Sequence, residues 1–254
     1  MKQQPRATVD TVREFWESHV NNEYYTGKTR ASEAYFREIE ERRYRFHYHL
    51  PELFSRLDGT YHPKLLDVGC GVGVDSIQLA RRGFDVVAID LSENALAVAR
   101  EFAASRGMHI DFRLGNAERL QFSAKSFDVV YAFGVLHHTP DIEQAVAEVH
   151  RVLKPDGTVY AMLYHRYSLV NAVHRLLRLP YESPRNRKDH CPVVYTFSRR
   201  AARNLFSGFS KVSVRSAYPF TFGFGSLLGT RSPLWVRRLL GRAIGWHLMI
   251  TAVR

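Results

Sequence analysis

A predicted strand that ends in a glycine-rich loop constrains the fold of this chain more than any other feature. Leu65–Val68 is short and apolar, and Gly69, Gly71 and Gly73 follow it directly. About 20 residues after the loop, a second apolar segment ends at Asp90. Glycines let a ligand approach the backbone closely, and a carboxylate after the second strand can accept hydrogen bonds from ribose hydroxyls. The pattern predicts a ligand that contains a ribose, bound at the carboxyl end of a parallel sheet.

The segment around this loop alternates predicted strands with predicted helices. The strands are Lys64–Val68, Asp85–Ile89, His109–Leu114, Phe127–Ala132 and Thr158–Tyr164, and the helices are Val74–Arg82, Ser92–Ser105 and Ile142–Leu153. Pro155-Asp156-Gly157 is predicted to be a turn. Such alternation predicts an α/β fold with a doubly wound, mostly parallel sheet. Two later strands, Lys211–Ala217 and Trp246–Val253, would add an antiparallel edge and bring the sheet to seven strands.

The glycine loop alone leaves two ligands open, a dinucleotide and S-adenosylmethionine. The dinucleotide fingerprint places Gly or Ala three residues after its second glycine, where this chain has Val74. Asp75, at the start of the following helix, disfavours a pyrophosphate there. The same charge is compatible with a ligand that carries a sulfonium and an amino acid end.

Five segments in order resemble the class I S-adenosylmethionine-dependent methyltransferases, in particular their UbiE-like small-molecule group. Asp67–Gly73 resembles the family's first motif, and Asp90 resembles its ribose-binding acid. The later segments that resemble family motifs are Gly115–Glu118, Ser126–Tyr131, Val135–His138 and Val152–Gly157. The resemblance covers residues 65–165 well and the flanking parts loosely. It implies a Rossmann-like methyltransferase fold that binds S-adenosylmethionine.

The resemblance also implies which residues contact the cofactor. They are Asp67, Gly69, Cys70, Gly71, Gly73, Asp90, Leu91, Asn116, Ala117, Phe133, Gly134 and His138. At Asn116 the family commonly has an aspartate, whose role is to accept a hydrogen bond from the adenine amine. An asparagine carbonyl can accept that bond as well, so we assign Asn116 to the adenine site. The sequence would also fit a residue that only begins a turn.

The candidate catalytic residues follow the fourth and fifth strands. They are His137, His138, Tyr164 and His165. Histidine suits a general base because its pKa lies near neutrality. The same histidines would also fit structural roles, capping a helix or bonding to the backbone. Histidines near the site, and no acidic cluster that would hold an amine, favour methylation of oxygen in a small molecule, while nitrogen and carbon acceptors stay open.

The parts that flank the core are expected to complete the site. Residues 1–62 are predicted to form a helical lid, residues 63–165 the cofactor-binding core, and residues 166–254 a basic region that completes the sheet and shapes the acceptor site. Tyr24 and Tyr25 lie in a polar break and are expected to cover the cofactor and exclude water. Trp16 is a candidate for the same role, but it recurs at helical spacing with apolar neighbours, which favours a position in the core.

The basic charge of the chain is concentrated at one end. Residues 161–254 hold 16 Lys and Arg against only Glu182 and Asp189, while the net charge of the whole chain is +11. Such a face attracts an anionic small molecule, RNA or an acidic membrane, or has no dedicated partner. An RNA methyltransferase is therefore one alternative, but no RNA-binding module or aromatic platform supports it. Another is a fold that binds the cofactor without transferring methyl. The segment Pro233–Trp246 is expected to be a linking helix packed on the sheet rather than a membrane contact.

Composition points away from membrane spans, metals and disulfides. No apolar run approaches the roughly 18 residues of a spanning helix, and the polar start lacks the apolar segment of a signal peptide. Cys70 and Cys191 show no metal or redox spacing. His47 and His49 are two residues apart on a predicted helix and should face different sides, which argues against a shared metal site. We expect a cytoplasmic protein with reduced thiols.

Overall fold

A single mixed sheet organises the molecule. The computed structural model describes residues 7–20, 26–181, 190–219 and 231–254. The strands are β1 (Lys64–Val68), β2 (Asp85–Asp90), β3 (Asp111–Leu114), β4 (Phe127–Phe133), β5 (Leu153–His165), β6 (Thr196–Phe197), β7 (Lys211–Ala217) and β8 (His247–Val253). Their order is β3-β2-β1-β4-β5-β8-β7, with β6 paired to β5. The doubly wound α/β prediction is confirmed.

The antiparallel part of the sheet is formed by β8. It pairs antiparallel to both β5 and β7, so it lies one strand inside the edge formed by β7. All other pairs described are parallel. The predicted turn at residues 155–157 instead belongs to β5, where the register against β4 shifts and Asp156 has φ of +64°. A local irregularity of this kind keeps the strand continuous past turn-forming residues.

Helices cover both faces of the sheet. They are α1 (Val9–Ser18), α2 (Glu33–Phe46), α3 (His49–Phe54), α4 (Val74–Arg81), α5 (Glu93–Ser105), α6 (Ile142–Val152), α7 (Leu169–Leu176), α8 (Arg199–Leu205) and α9 (Leu234–Ile244). Apolar residues of α2 to α5 belong to one buried cluster, and those of α6 and α8 to another. The sheet therefore separates two cores, as a doubly wound fold requires.

Local signals in the sequence account for several helix boundaries. Ser92 caps α5 by accepting a hydrogen bond from the Ala95 N–H, and Ser168 caps α7 in the same way through Asn171. The helix α9 links β7 to β8 and packs on β7, as predicted. Within this helix, Gly241 packs closely against the Tyr48 hydroxyl. An added Cβ at this position would stand 2.9 Å from that hydroxyl, so the contact favours glycine. None of the helices in the described ranges is long and apolar enough to cross a membrane.

Candidate cofactor and acceptor site

One pocket opens along the edge of the sheet where the parallel strands end. Its volume is about 460 Å³, within the usual range for small-molecule sites. Residues at or just after the ends of β1, β2, β4 and β5 line it, together with the start of the antiparallel β8. Ligands of doubly wound sheets bind at this edge, so the pocket lies where the fold leads us to expect one.

The acid after β2 and the glycine loop after β1 form one wall of the pocket. One carboxylate oxygen of Asp90 accepts a hydrogen bond from the Gly71 N–H at 2.8 Å, and the other accepts one from the Ser92 N–H at 3.0 Å. Burial raises the pKa of Asp90, and these backbone donors act in the opposite direction. Each carboxylate oxygen has a further lone pair with which it can accept a hydrogen bond from a ligand.

The structure brings most of the sequence-predicted cofactor residues to this pocket. Those that line it are Gly69, Gly71, Asp90, Leu91, Ala117, Phe133, Gly134 and His138. Four others lie beside the pocket without lining it, namely Asp67, Cys70, Gly73 and Asn116. Tyr24 and Tyr25 lie outside the described residues.

The residues that do not line the pocket have structural partners. Asp67 is buried and accepts a hydrogen bond from the Ser76 hydroxyl at 2.6 Å. Gly73 has φ of +76°, and an added Cβ would lie 3.0 Å from the Cβ of Ala99, so close packing requires glycine here. Asn116 uses its side-chain oxygen to accept the Glu118 N–H at 2.9 Å. The turn interpretation therefore describes Asn116 in this structure, while Ala117 lines the pocket.

Asp75, at the start of α4, does not line the pocket. Its carboxylate forms a buried ion pair with Arg43 of α2 and accepts a hydrogen bond from the Tyr131 hydroxyl at 2.8 Å. Burial opposes the charged form of Arg43, but the charge and hydrogen bonds of Asp75 outweigh it and raise the pKa of Arg43. Arg43 lines the pocket itself, with its guanidinium 4.6 Å from the centre of the Phe133 ring.

The four predicted catalytic residues separate into two pairs. His138 and Tyr164 line the pocket. His137 is buried behind them, its ring centre 3.9 Å from that of Tyr164. His165 also lies outside the lining, and its Nδ1 is 3.0 Å from the Gly245 carbonyl oxygen. At the end of β5 the alternation of side chains turns Tyr164 towards the pocket and His165 away from it.

Three histidines that the sequence analysis did not place at the site meet near the pocket. His47 and His247 line it, and His49 lies directly behind, with its Nε2 3.3 Å from Nδ1 of His247. The expectation that His47 and His49 face different sides was wrong because α2 ends before His47 and α3 begins at His49. Their ring centres are 6.0 Å apart. Among the described residues no group has the arrangement of a metal site.

The surroundings of all three imidazoles lower their pKa. Burial, followed by the charge of Arg43, lowers the pKa of His49 to about 3. Burial also lowers the pKa of His47 and of His247 well below the ordinary value, and the neighbouring imidazoles and Arg43 add to the effect. A neutral imidazole retains one nitrogen that can accept a proton.

Stacked aromatic rings form the end of the pocket that is farthest along the sheet from Asp90. The Trp246 ring lies 4.2 Å from Tyr164 and 5.8 Å from Tyr181, and His174 stacks on Tyr181 at 4.7 Å. All four residues line the pocket. Flat, mostly apolar walls of this kind suit a planar or extended organic molecule.

The first helix packs across the pocket. Val12, Trp16 and Val20 line it, and the Trp16 ring lies 5.4 Å from His138 in an edge-on arrangement. The core assignment of Trp16 is therefore replaced by a position at the pocket wall. Asn94, at the start of α5, donates its side-chain N–H to the Glu17 carbonyl at 3.0 Å, which docks α1 beside the Asp90 wall.

Comparison with known proteins identifies the central domain. Residues 66–161 match the family described as methyltransferase domain. The chain is 38% identical over 124 residues to a ubiquinone biosynthesis O-methyltransferase of Hahella chejuensis, covering 46% of this chain and 52% of that protein. It is 40% identical over 109 residues to the methyltransferase GfsG of Streptomyces halstedii, covering 42% and 39% respectively. The matches thus span about half the length of these curated relatives or less.

Solved structures agree on the fold. A SAM-dependent methyltransferase from Thermotoga maritima superposes with a TM-score of 0.66 at 20% identity, covering 95% of this chain and 99% of that one. The [4+2]-cyclase SpnF gives 0.65 at 18% identity, covering 98% and 97%. The sheet and pocket define a class I methyltransferase fold. The match of residues 66–161 to the methyltransferase domain family agrees with the resemblance found in the sequence.

Proposed function

We propose that this protein transfers a methyl group from S-adenosylmethionine to an oxygen of a small organic molecule. The observation that carries the proposal is one continuous pocket, with Asp90 and the glycine loop at one end and an aromatic, histidine-containing wall at the other. The O-methyltransferase relatives support the reaction class. S-adenosylmethionine, when bound, supplies the methyl group on a sulfonium that departs as a neutral thioether.

The Asp90 end of the pocket fits the adenosyl part of this cofactor. A Cβ added at Gly71 would meet nothing within 4 Å, so the loop leaves open space beside the carboxylate. Asp90 would accept hydrogen bonds from the ribose hydroxyls, and Leu91 and Ala117 would border the adenine. Gly69 would let the chain approach the amino acid end closely.

The acceptor is assigned to the other end of the pocket by the order of the strands. Four strand spacings separate β2, which ends at Asp90, from β8, which begins at His247. At about 4.8 Å per spacing this is roughly 19 Å. Phe133 and Gly134, at the end of β4, lie between the two ends. Tyr164, Trp246 and Tyr181 would hold the acceptor and exclude water from it.

His247 is proposed as the base that removes the proton from the acceptor hydroxyl. It lines the pocket, and its Nδ1 contacts Nε2 of His49, which leaves Nε2 of His247 to act on the acceptor. A general base typically contributes roughly 10²- to 10⁴-fold in rate when its pKa lies near the working pH. The lowered pKa of His247 makes the lower end of that range the expectation. His49 would hold the ring of His247 in place as a positioning residue.

The N-terminal helices are proposed to act as a lid over this site. Val12 and Trp16 of α1, and Val20 just after it, contribute to the pocket wall, and a closed site protects reacting groups from water. With this assignment residues 1–62 form the lid, residues 63–165 the cofactor core, and residues 166–254 the acceptor side. The cytoplasmic location stays a prediction.

The direct test is transfer of a labelled methyl group. The protein is incubated with methyl-labelled S-adenosylmethionine and fractionated metabolites, and the labelled products are identified by mass spectrometry. A product that carries the methyl group on a hydroxyl oxygen supports the proposal. Cofactor binding without transfer to any fraction would contradict it and would favour a fold used for other chemistry, since the cyclase SpnF shares this architecture.

A further inference from the structure

The helix α7 carries apolar residues on two faces, and only one of these faces is covered by residues that the structure describes. Val170 and His174 point into the pocket. On the outer face Leu176 is 81% exposed, and Leu169 and Val173 are 43% and 40% exposed. These three positions recur at spacings of four and three, so they form one stripe along the helix.

The apolar stripe continues into the residues on either side of α7. Leu177, which follows the helix, is 57% exposed, and Tyr167, which precedes it, is 69% exposed. Isolated exposed leucines are ordinary, but a contiguous apolar surface of this kind marks an interaction site. The stripe is therefore a candidate docking surface.

The charge around the stripe identifies the chemistry of that partner. Arg166, Arg175 and Arg178 are exposed beside it, and the sequence contains no acidic residue between Asp156 and Glu182. A helix with a basic border and an aliphatic stripe is typical of segments that lie in the interface of an anionic membrane. Aliphatic side chains do not offer the stacking surfaces that single-stranded RNA needs.

We propose that the outer face of α7 docks on an anionic phospholipid surface. Because Val170 and His174 on its inner face line the pocket, docking would place the aromatic end of the pocket next to the lipid. An amphiphilic acceptor would then reach the pocket without crossing water, and this last consequence rests on the proposed function. The docking itself does not depend on methyl transfer.

The test measures binding to vesicles in the absence of cofactor. The protein is sedimented with vesicles of phosphatidylcholine alone, or of phosphatidylcholine mixed with phosphatidylglycerol. Binding is expected only to the mixed vesicles. The double substitution of Leu176→Ser and Leu177→Ser should weaken it by about tenfold or more, as should Arg175→Gln with Arg178→Gln. Tyr61→Ser is the matched control. Tyr61 is 91% exposed and precedes β1, so it lies at the end of the sheet where the parallel strands begin, whereas α7 follows the end of β5.

Several outcomes would overturn the proposal. Both double variants could bind mixed vesicles as well as the unaltered protein does while keeping its circular dichroism spectrum. An RNA oligonucleotide could bind more tightly than the vesicles and be unaffected by the leucine substitutions. Sedimentation velocity could reveal a dimer that those substitutions dissociate, which would assign the face to a second copy.

Failure of the proposed function is distinguishable from failure of the docking proposal. Vesicle binding without any labelled methyl transfer would reject the proposed function and leave the docking surface standing.

Discussion

The carboxylate of Asp90 accepts a hydrogen bond from the Gly71 N–H, with 2.8 Å between oxygen and nitrogen. This bond joins the glycine loop after β1 to the acid after β2, so the two elements form one rigid wall. Gly71 has φ of +55°. Its backbone therefore offers an N–H to Asp90 while the space above its Cα stays open for a ligand.

We expect Gly71→Ala to impair cofactor binding more than stability. The positive φ should cost about 1–2 kcal/mol of unfolding free energy, whereas the new methyl group would occupy ligand space and lower affinity by about tenfold or more. Gly107→Ala is the matched control, since Gly107 has φ of +65° and also has nothing within 4 Å of an added Cβ. Chemical denaturation and calorimetric titration compare the two. Equal loss of cofactor affinity in both variants would contradict the assignment of the loop.

The buried pair of Arg43 and Asp75 should make the protein sensitive to removal of one charge. Arg43→Met leaves the carboxylate buried without its cation, and breaking such a pair costs about 3–5 kcal/mol. The double variant with Asp75→Asn should recover part of this loss, because no uncompensated charge remains. Denaturant unfolding of the single and double variants measures the difference. Additive losses would show that the two residues are not coupled.

Removal of the proposed base should affect turnover rather than cofactor binding. His247→Gln should lower kcat by about 10²-fold and leave the dissociation constant of S-adenosylmethionine within about threefold. His165→Gln provides the contrast, because His165 bonds to the Gly245 carbonyl outside the pocket lining. It should retain kcat within about threefold. Steady-state kinetics would reject our assignment if the His165 variant lost turnover and the His247 variant did not.

The buried histidines should make folding stability fall in mild acid. His47, His49, His137 and His247 all have a pKa lowered by burial. As the pH falls through 6.5, the unfolded chain takes up protons on these residues that the folded chain does not. The unfolding free energy therefore falls with pH, by up to roughly 1 kcal/mol per pH unit for each histidine.

Buried carboxyl groups act in the opposite direction. Burial raises the pKa of Asp67 to about 7 and also raises that of Asp90. The folded state therefore retains protons there that the unfolded state has lost. The four histidines outnumber Asp67, the carboxyl group whose raised pKa of about 7 lies in this range, so denaturant unfolding should give a lower stability at pH 5.5 than at pH 7. His49→Gln should flatten this dependence, and an unchanged slope in that variant would contradict it.

The cofactor end of the site could be predicted from the sequence because its parts are local. Gly69, Gly71 and Asp90 follow strands whose apolar residues and turn signals mark their ends, and β1 was predicted with the bounds the structure has. Asp67 and Gly73 belong to the same motif but serve the interior. A motif names positions in a loop, and only the packing around each position decides whether it faces the ligand.

The acceptor end could not be predicted in this way because its parts are distant in the sequence. Trp246 and His247 reach the pocket through the antiparallel pairing of β8 with β5, which places His247 opposite Tyr164. His47 reaches it because α2 ends there. Neither the pairing of β8 with β5 nor the end of α2 at the pocket produces a periodic pattern in the sequence. The pairing of Arg43 with Asp75 is likewise a tertiary contact between α2 and α4, and no local pattern in the sequence indicates it.

Titration calorimetry with S-adenosylmethionine tests the central claim most directly. The protein should bind it at one site, and Asp90→Ala should weaken binding by about a hundredfold or more, since two hydrogen bonds to a charged acceptor are lost. Asp85→Ala, at the opposite end of the same strand, should bind as the unaltered protein does. Unchanged affinity in a folded Asp90→Ala protein, or binding of a nicotinamide dinucleotide at this pocket instead, would contradict the account.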